Sequence, residues 1–103
     1  MDRTTKRIVE LVRAVVEPER IILFGSRVSG THHEGSDYDL LVIIASEQGT
    51  REVLRKIYSS FKGIGAPVDL LVIDERKYDI LRQNENTVFN EISNTGVTVY
   101  AKA

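Results

Sequence analysis

Apolar positions recur along this chain with two distinct periods. Ile8, Leu11, Val12, Val15 and Val16 fall at i, i+3, i+4, i+7 and i+8, which predicts an amphipathic helix over roughly residues 3–16. Pro18 ends it, because the residue before a proline is pushed out of the helical region. Ile21 to Phe24 is a short apolar run halted by Gly25-Ser26 and predicts a buried strand. Residues 26–36, SRVSGTHHEGS, have no apolar period and predict a loop that opens with one helical turn. Tyr38 to Ala45 reads as a second strand, and its unbroken apolar stretch from Leu40 predicts burial on both faces, as in a central strand.

Val53, Leu54, Ile57, Tyr58 and Phe61 return to helical spacing, with Thr50 expected as the N-cap and Gly63 as the stop. Val68 to Ile73 predicts a third strand. Residues 75–95 predict two helical pieces broken at Gln83-Asn84-Glu85-Asn86, with Gly96 capping the second and Val97 to Tyr100 forming a last short edge strand. The sum is an α/β fold, a small mixed sheet flanked by helices, expected to be one domain over 1–103. Composition agrees with that: 42% of the 103 residues are hydrophobic, enough for a core, and no repeat, linker or low-complexity tract interrupts it.

Charge and residue usage narrow the function classes. A formal net charge of −1 argues against gripping a nucleic-acid backbone as the main task, although a local basic patch stays open. The absence of cysteine excludes disulfides and thiolate metal sites and fits a reducing cytosol. Charges at Asp2, Arg3, Lys6, Arg7, Glu10 and Arg13 exclude a signal-peptide core, and no apolar run approaches the ~20 residues needed to span a bilayer. A soluble, cytoplasmic protein is expected.

The residues that point to chemistry are Gly25-Ser26, then Asp37 and Asp39, then Asp69. Alternate residues of a strand share a face, so Asp37 and Asp39 project together while Tyr38 points away. Asp69 begins the third strand. If the second and third strands are parallel neighbours joined by the intervening helix, all three carboxylates meet at one end of the sheet. For Gly25-Ser26 to reach that same end, the first strand must run opposite to the second. Two like charges ~4 Å apart repel by roughly 4 kcal/mol at an effective dielectric of ~20, so such a cluster calls for a cation. Oxygen-only ligands select hard ions such as Mg²⁺, and two ions ~3.5–4 Å apart can clamp both oxygens of an in-line displacement at phosphorus. Gly25 lets backbone approach a phosphate closely, and Ser26 offers a hydroxyl and an N–H at a turn.

Gly25-Ser26, ten intervening residues, then Asp37-Tyr38-Asp39, with a third acidic position at Asp69 in PVDLLVI, resembles the signature of the minimal nucleotidyltransferases of the DNA polymerase β-like superfamily. The resemblance extends from the first helix to the ending Gly96-Val97-Thr98-Val99-Tyr100. It implies the polymerase β-like fold, with Asp37 and Asp39 as metal ligands and Asp69 completing the site and helping to activate the nucleophile. It further implies that Gly25 and Ser26 hold the triphosphate of ATP, with Arg27 as an additional phosphate contact, and that Mg²⁺ is the cofactor, two ions with Mn²⁺ able to substitute. Many members of the family act as the antitoxin half of a pair with a helical HEPN-type toxin and transfer AMP to a toxin tyrosine.

Simpler readings stand beside these. Ser36-Asp37 alone would serve as a helix cap or turn, and Asp69 alone as a gatekeeper on an edge strand. An EF-hand is excluded, because Asp37-x-Asp39 is followed by Leu-Leu-Val-Ile rather than further oxygen ligands. His32-His33, without another His or Cys partner, reads as solvated loop, and Gly30 and Gly35 as loop punctuation. Arg51, Glu52, Arg55 and Lys56 read as a solvated helix face, while Tyr78 and Leu81 fit either core or a partner-binding stripe. Three functions compete: AMP transfer to a protein hydroxyl, a non-catalytic module that neutralises its partner by contact, and nucleotidyl transfer to a small molecule or to RNA, the nearly neutral charge making RNA the weakest acceptor. In each transfer reading the acceptor platform comes from another protein or from a second copy in a homo-oligomer.

Overall fold

The computed structural model describes residues 1–61 and 63–103. Helix α1 (Arg3–Val15) leads into strand β1 (Arg20–Phe24), a single helical turn α2 (Ser26–Ser29) and strand β2 (Tyr38–Ile44). Helix α3 (Thr50–Ser59) crosses to β3 (Val68–Asp74), followed by α4 (Glu75–Leu81), α5 (Val88–Thr95) and β4 (Val97–Ala101). The sheet order is β3-β2-β1-β4. β2 and β3 are parallel, and β1 is antiparallel to both β2 and β4. The mixed sheet inferred from the placement of Gly25-Ser26 is therefore the one observed.

Two helical layers cover the sheet. Ile8 and Val12 of α1 and Ile57 of α3 pack on Ile21, Leu40, Val42, Ile44 and Leu70. On the opposite face, Tyr78 of α4 and Ile92 of α5 pack on Ile22, Leu41, Ile43 and Ile73. β2 is sandwiched between the two, and Leu40 to Ile44 are at most 2% exposed, which is why its apolar run is continuous rather than alternating. Each such side chain contributes about 1.5–3 kcal/mol on full burial, so β2 is the strand around which the other elements are organised.

Local chemistry sets the ends. The Asp2 carboxylate accepts the Thr5 N–H at 2.7 Å and caps α1. Asp74 is at once the last residue of β3 and the cap of α4, accepting the Lys77 N–H at 2.8 Å. Tyr78 is 2% exposed and meets Phe89 edge-on, so it belongs to the core. Thr50 is the first residue of α3 rather than its cap, which is Gly49. α3 also stops before Gly63. The Ser59 and Ser60 hydroxyls donate to the carbonyls of Lys56 and Ile57, and the Ser60 and Phe61 N–H groups bond three residues back, tightening the last turn until it breaks.

Gly96 caps α5 as expected, but with an extended backbone (φ −71°, ψ 160°) that any residue adopts. Its requirement is space: a Cβ there would lie 2.5 Å from Ile22 Cγ2 and 2.6 Å from the Ile92 carbonyl oxygen. Gly96→Ala is expected to destabilise the fold by about 1–3 kcal/mol through overpacking, read as a lower denaturation midpoint with an unchanged m-value.

Candidate active site

The face of the sheet that packs beneath α4 and α5 carries Leu41 and Ile43 of β2 and Ile73 of β3. Alternation therefore puts Asp39 and Asp69 on that same face, beyond its apolar part. The parallel register sets Asp39 directly beside Asp69, and the antiparallel one sets it beside Phe24, which packs partly buried against the same apolar cluster. Asp39 is half-buried and Asp69 exposed. Asp37, also exposed, precedes the first residue of β2 and so projects from the lead-in to the strand rather than from the ladder itself.

Gly25 closes the site from the β1 side. Its backbone (φ 79°, ψ −153°) lies in a region essentially reserved for glycine, and a Cβ built there would fall on the Asp39 carboxylate. The Gly25 carbonyl accepts the Val28 and Ser29 N–H groups at 3.1 Å, which starts α2 with Ser26 as its first residue. Asp39, Asp69, Asp37, Gly25 and Ser26 are thus gathered at one end of the sheet.

Arg27 is placed elsewhere. Its guanidinium stacks 4.0 Å above the Tyr38 ring, and one terminal nitrogen donates to the Ser36 carbonyl at 2.9 Å and to that of Glu34 at 3.4 Å. Tyr38 belongs to the α1/α3 side of the sheet, so Arg27 leans away from the carboxylates. His32 and His33 are exposed and serve the loop: His32 Nδ1 lies 3.3 Å from the Ser26 carbonyl oxygen, and His33 Nδ1 accepts the Gly35 N–H.

Burial, then the charge of Asp69, then that of Asp37 raise the Asp39 pKa above its ordinary carboxylate value. Among the described residues no ion pair reaches any of the three carboxylates. Hard oxygen donors crowded without a cation fit a divalent ion such as Mg²⁺. Among the described residues no group of three acidic or histidine side chains closes around a point that would hold an ion unaided.

Recesses flank Gly25 that the sequence alone did not reveal. One of about 430 Å³ is lined by Gly25, Val28, Ser29, Glu91 and Thr95, and a smaller one of about 230 Å³ adds Phe24, Val88 and Ile92. Glu91 and Thr95 lie one helical turn apart on α5. The spacing was legible, but its approach to Gly25 depends on how α5 docks on β1. A further recess, of about 480 Å³, lies around Tyr38, Arg27 and Asp2, and none of the three carboxylates lines it.

Two outcomes follow from this geometry. Gly25→Ala is expected to displace the Asp39 carboxylate and lower stability by about 1–3 kcal/mol, measured by denaturation of the metal-free protein. Because the Asp39 pKa is raised on folding, its charge opposes folding above that raised value, and the penalty vanishes as pH falls below the ordinary 3.8. Metal-free Asp39→Asn should therefore be more stable than wild type at neutral pH, with the advantage fading through the acid range; equal stability at pH 7 would contradict a cost of burying and crowding that charge.

The polymerase beta nucleotidyltransferase family model matches residues 6–103. No curated protein matches the chain significantly. Among solved structures, one from Sulfolobus solfataricus assigned to the nucleotidyltransferases superposes with a TM-score of 0.67 at 23% identity, covering 97% of this chain and 79% of that one. A toxin–antitoxin complex with AMP-PNP superposes with a TM-score of 0.62 at 24% identity, covering 98% and 75%. The spectinomycin adenyltransferase AAD(9) from Enterococcus faecialis, with ATP and spectinomycin, gives 0.60 at 16% identity, covering 95% of this chain and 56% of that one. At these identities the superpositions establish a shared fold, and the family match spans nearly the whole chain: it belongs to the polymerase beta nucleotidyltransferases.

Proposed function

We propose that this chain transfers AMP from ATP to a hydroxyl group of a partner protein, a tyrosine of a HEPN-type toxin, and so acts as an antitoxin. The observation that carries the transfer chemistry is the in-register pairing of Asp39 with Asp69, with Asp37 alongside, against a Gly25 backbone that has no room for a side chain. The toxin–antitoxin neighbour with AMP-PNP supports the choice of partner and of adenine nucleotide.

In this reading Asp37 and Asp39 hold Mg²⁺, with Asp69 completing the set, and Gly25 and Ser26 receive the triphosphate. Bound there, two Mg²⁺ ions, or Mn²⁺ in their place, would offset phosphate charge. The acceptor oxygen forms a bond to the α-phosphorus in line with the bond that breaks, and pyrophosphate leaves with that electron pair. The Asp69 carboxylate takes the hydroxyl proton and releases it to water. What the protein contributes is position: two strands in fixed register and a backbone that leaves the phosphates room.

AAD(9), whose structure contains spectinomycin, favours a second reading in which the acceptor is a small molecule. A third, neutralisation by contact alone, leaves the crowding of Asp37, Asp39 and Asp69 without a use. Incubation with labelled ATP, Mg²⁺ and the product of the adjacent gene should label that partner. Asp39→Asn should lower the rate more than about 100-fold, and a chelator should abolish labelling until Mg²⁺ or Mn²⁺ is restored. Chelator-resistant labelling, or an equally active Asp39→Asn protein, would refute the mechanism. A silent partner beside a labelled aminocyclitol would favour the small-molecule reading.

A further inference from the structure

Of the three carboxylates, Asp37 is the one the sheet does not fix. The β2–β3 register begins at Tyr38 with Val68, and the β1–β2 register ends at Asp39 with Phe24. Asp37 lies outside both, at the end of the exposed loop that follows α2. Yet the residues on either side of it are held. The Ser36 carbonyl accepts a 2.9 Å hydrogen bond from Arg27. Tyr38 is 5% exposed, with its ring under the Arg27 guanidinium at 4.0 Å and its hydroxyl donating to Asp2 Oδ2 at 2.9 Å. The Tyr38 N–H bonds to the Pro67 carbonyl at 2.9 Å, two residues before Asp69.

We infer that Arg27 is a positioning residue: its planar guanidinium, laid on the Tyr38 ring and bonded to the Ser36 carbonyl, fixes the Ser36–Tyr38 backbone from the back of the sheet and thereby aims the Asp37 carboxylate at the site. This rests on the proposed nucleotidyl transfer for its purpose but not for its geometry. It assigns Arg27 a role through Asp37 and not through contact with nucleotide phosphate. The guanidinium suits the task because it stacks and donates in one plane at once, which a lysine ammonium does not. The second anchor, Asp2, also caps α1, so the first helix and the acidic end of β2 share one carboxylate.

The test compares Arg27→Lys and Tyr38→Phe with wild type by backbone amide order parameters and by titration with Mn²⁺ alone, without nucleotide. Arg27→Lys should loosen the Asp37 amide while Leu41 and Ile43 stay rigid, and weaken Mn²⁺ binding about tenfold. Tyr38→Phe keeps the ring beneath the guanidinium and should leave the Asp37 amide ordered. An unchanged Asp37 amide in Arg27→Lys would overturn the inference. So would weaker ATP binding with Mn²⁺ binding intact, which would mark Arg27 as a phosphate contact. Should Arg27→Lys fail to fold, a mobile Asp37 in Tyr38→Phe would overturn it equally, by making the Asp2 bond the holding contact. A wild-type protein that binds no Mn²⁺ and transfers no AMP would refute the nucleotidyl reading, while the order parameters would still decide whether Arg27 holds the backbone.

Discussion

The site depends on holding like charges together, and the parallel pairing of β2 with β3 does it. Carboxylates left to themselves would separate; here Asp39 and Asp69 share a register and a face, and neither can leave without breaking a ladder. The apolar residues that follow Asp39 are what make that ladder firm. Leu41 and Ile43 lie under α4 and α5, while Leu40 and Val42 lie under α1 and α3. Burial first, and the charges of Asp69 and Asp37 after it, raise the Asp39 pKa, and that cost is sustained by apolar packing a few residues away on the same strand.

β2 consequently has two jobs divided between its faces. Toward α4 and α5 it passes from core to chemistry within two residues, Leu41 to Asp39. Toward α1 and α3 it stays core until Tyr38, which ends the strand in a polar cluster with Asp2 and Arg27. Gly25 supplies the remaining condition. A residue with a side chain would both strain the turn and occupy the space of the Asp39 carboxylate, so the glycine answers to conformation and to volume at once.

Much of this was legible in the sequence because it follows from short-range rules. The apolar run after Asp39 marked a central strand, an intervening amphipathic helix implied the parallel crossover to Asp69, and the demand that Gly25 meet them implied an antiparallel β1; Asp37, expected on the strand, precedes it. The failures were of another kind. The end of α3 turned on serine hydroxyls competing for nearby carbonyls, which helical spacing does not register. The recess beside Glu91 and Thr95 depended on the docking of α5 against β1. That is a tertiary fact, and a motif read along the chain points only to a neighbourhood.

The junction at Asp74 has a mechanical meaning. One residue finishes β3 and caps α4, so no slack separates the strand bearing Asp69 from the helix that roofs the sheet beside it. Whatever docks on the outer surface of α4, where Ile80 stands 69% exposed, would bear on a helix tied to the strand of Asp69 through that single residue.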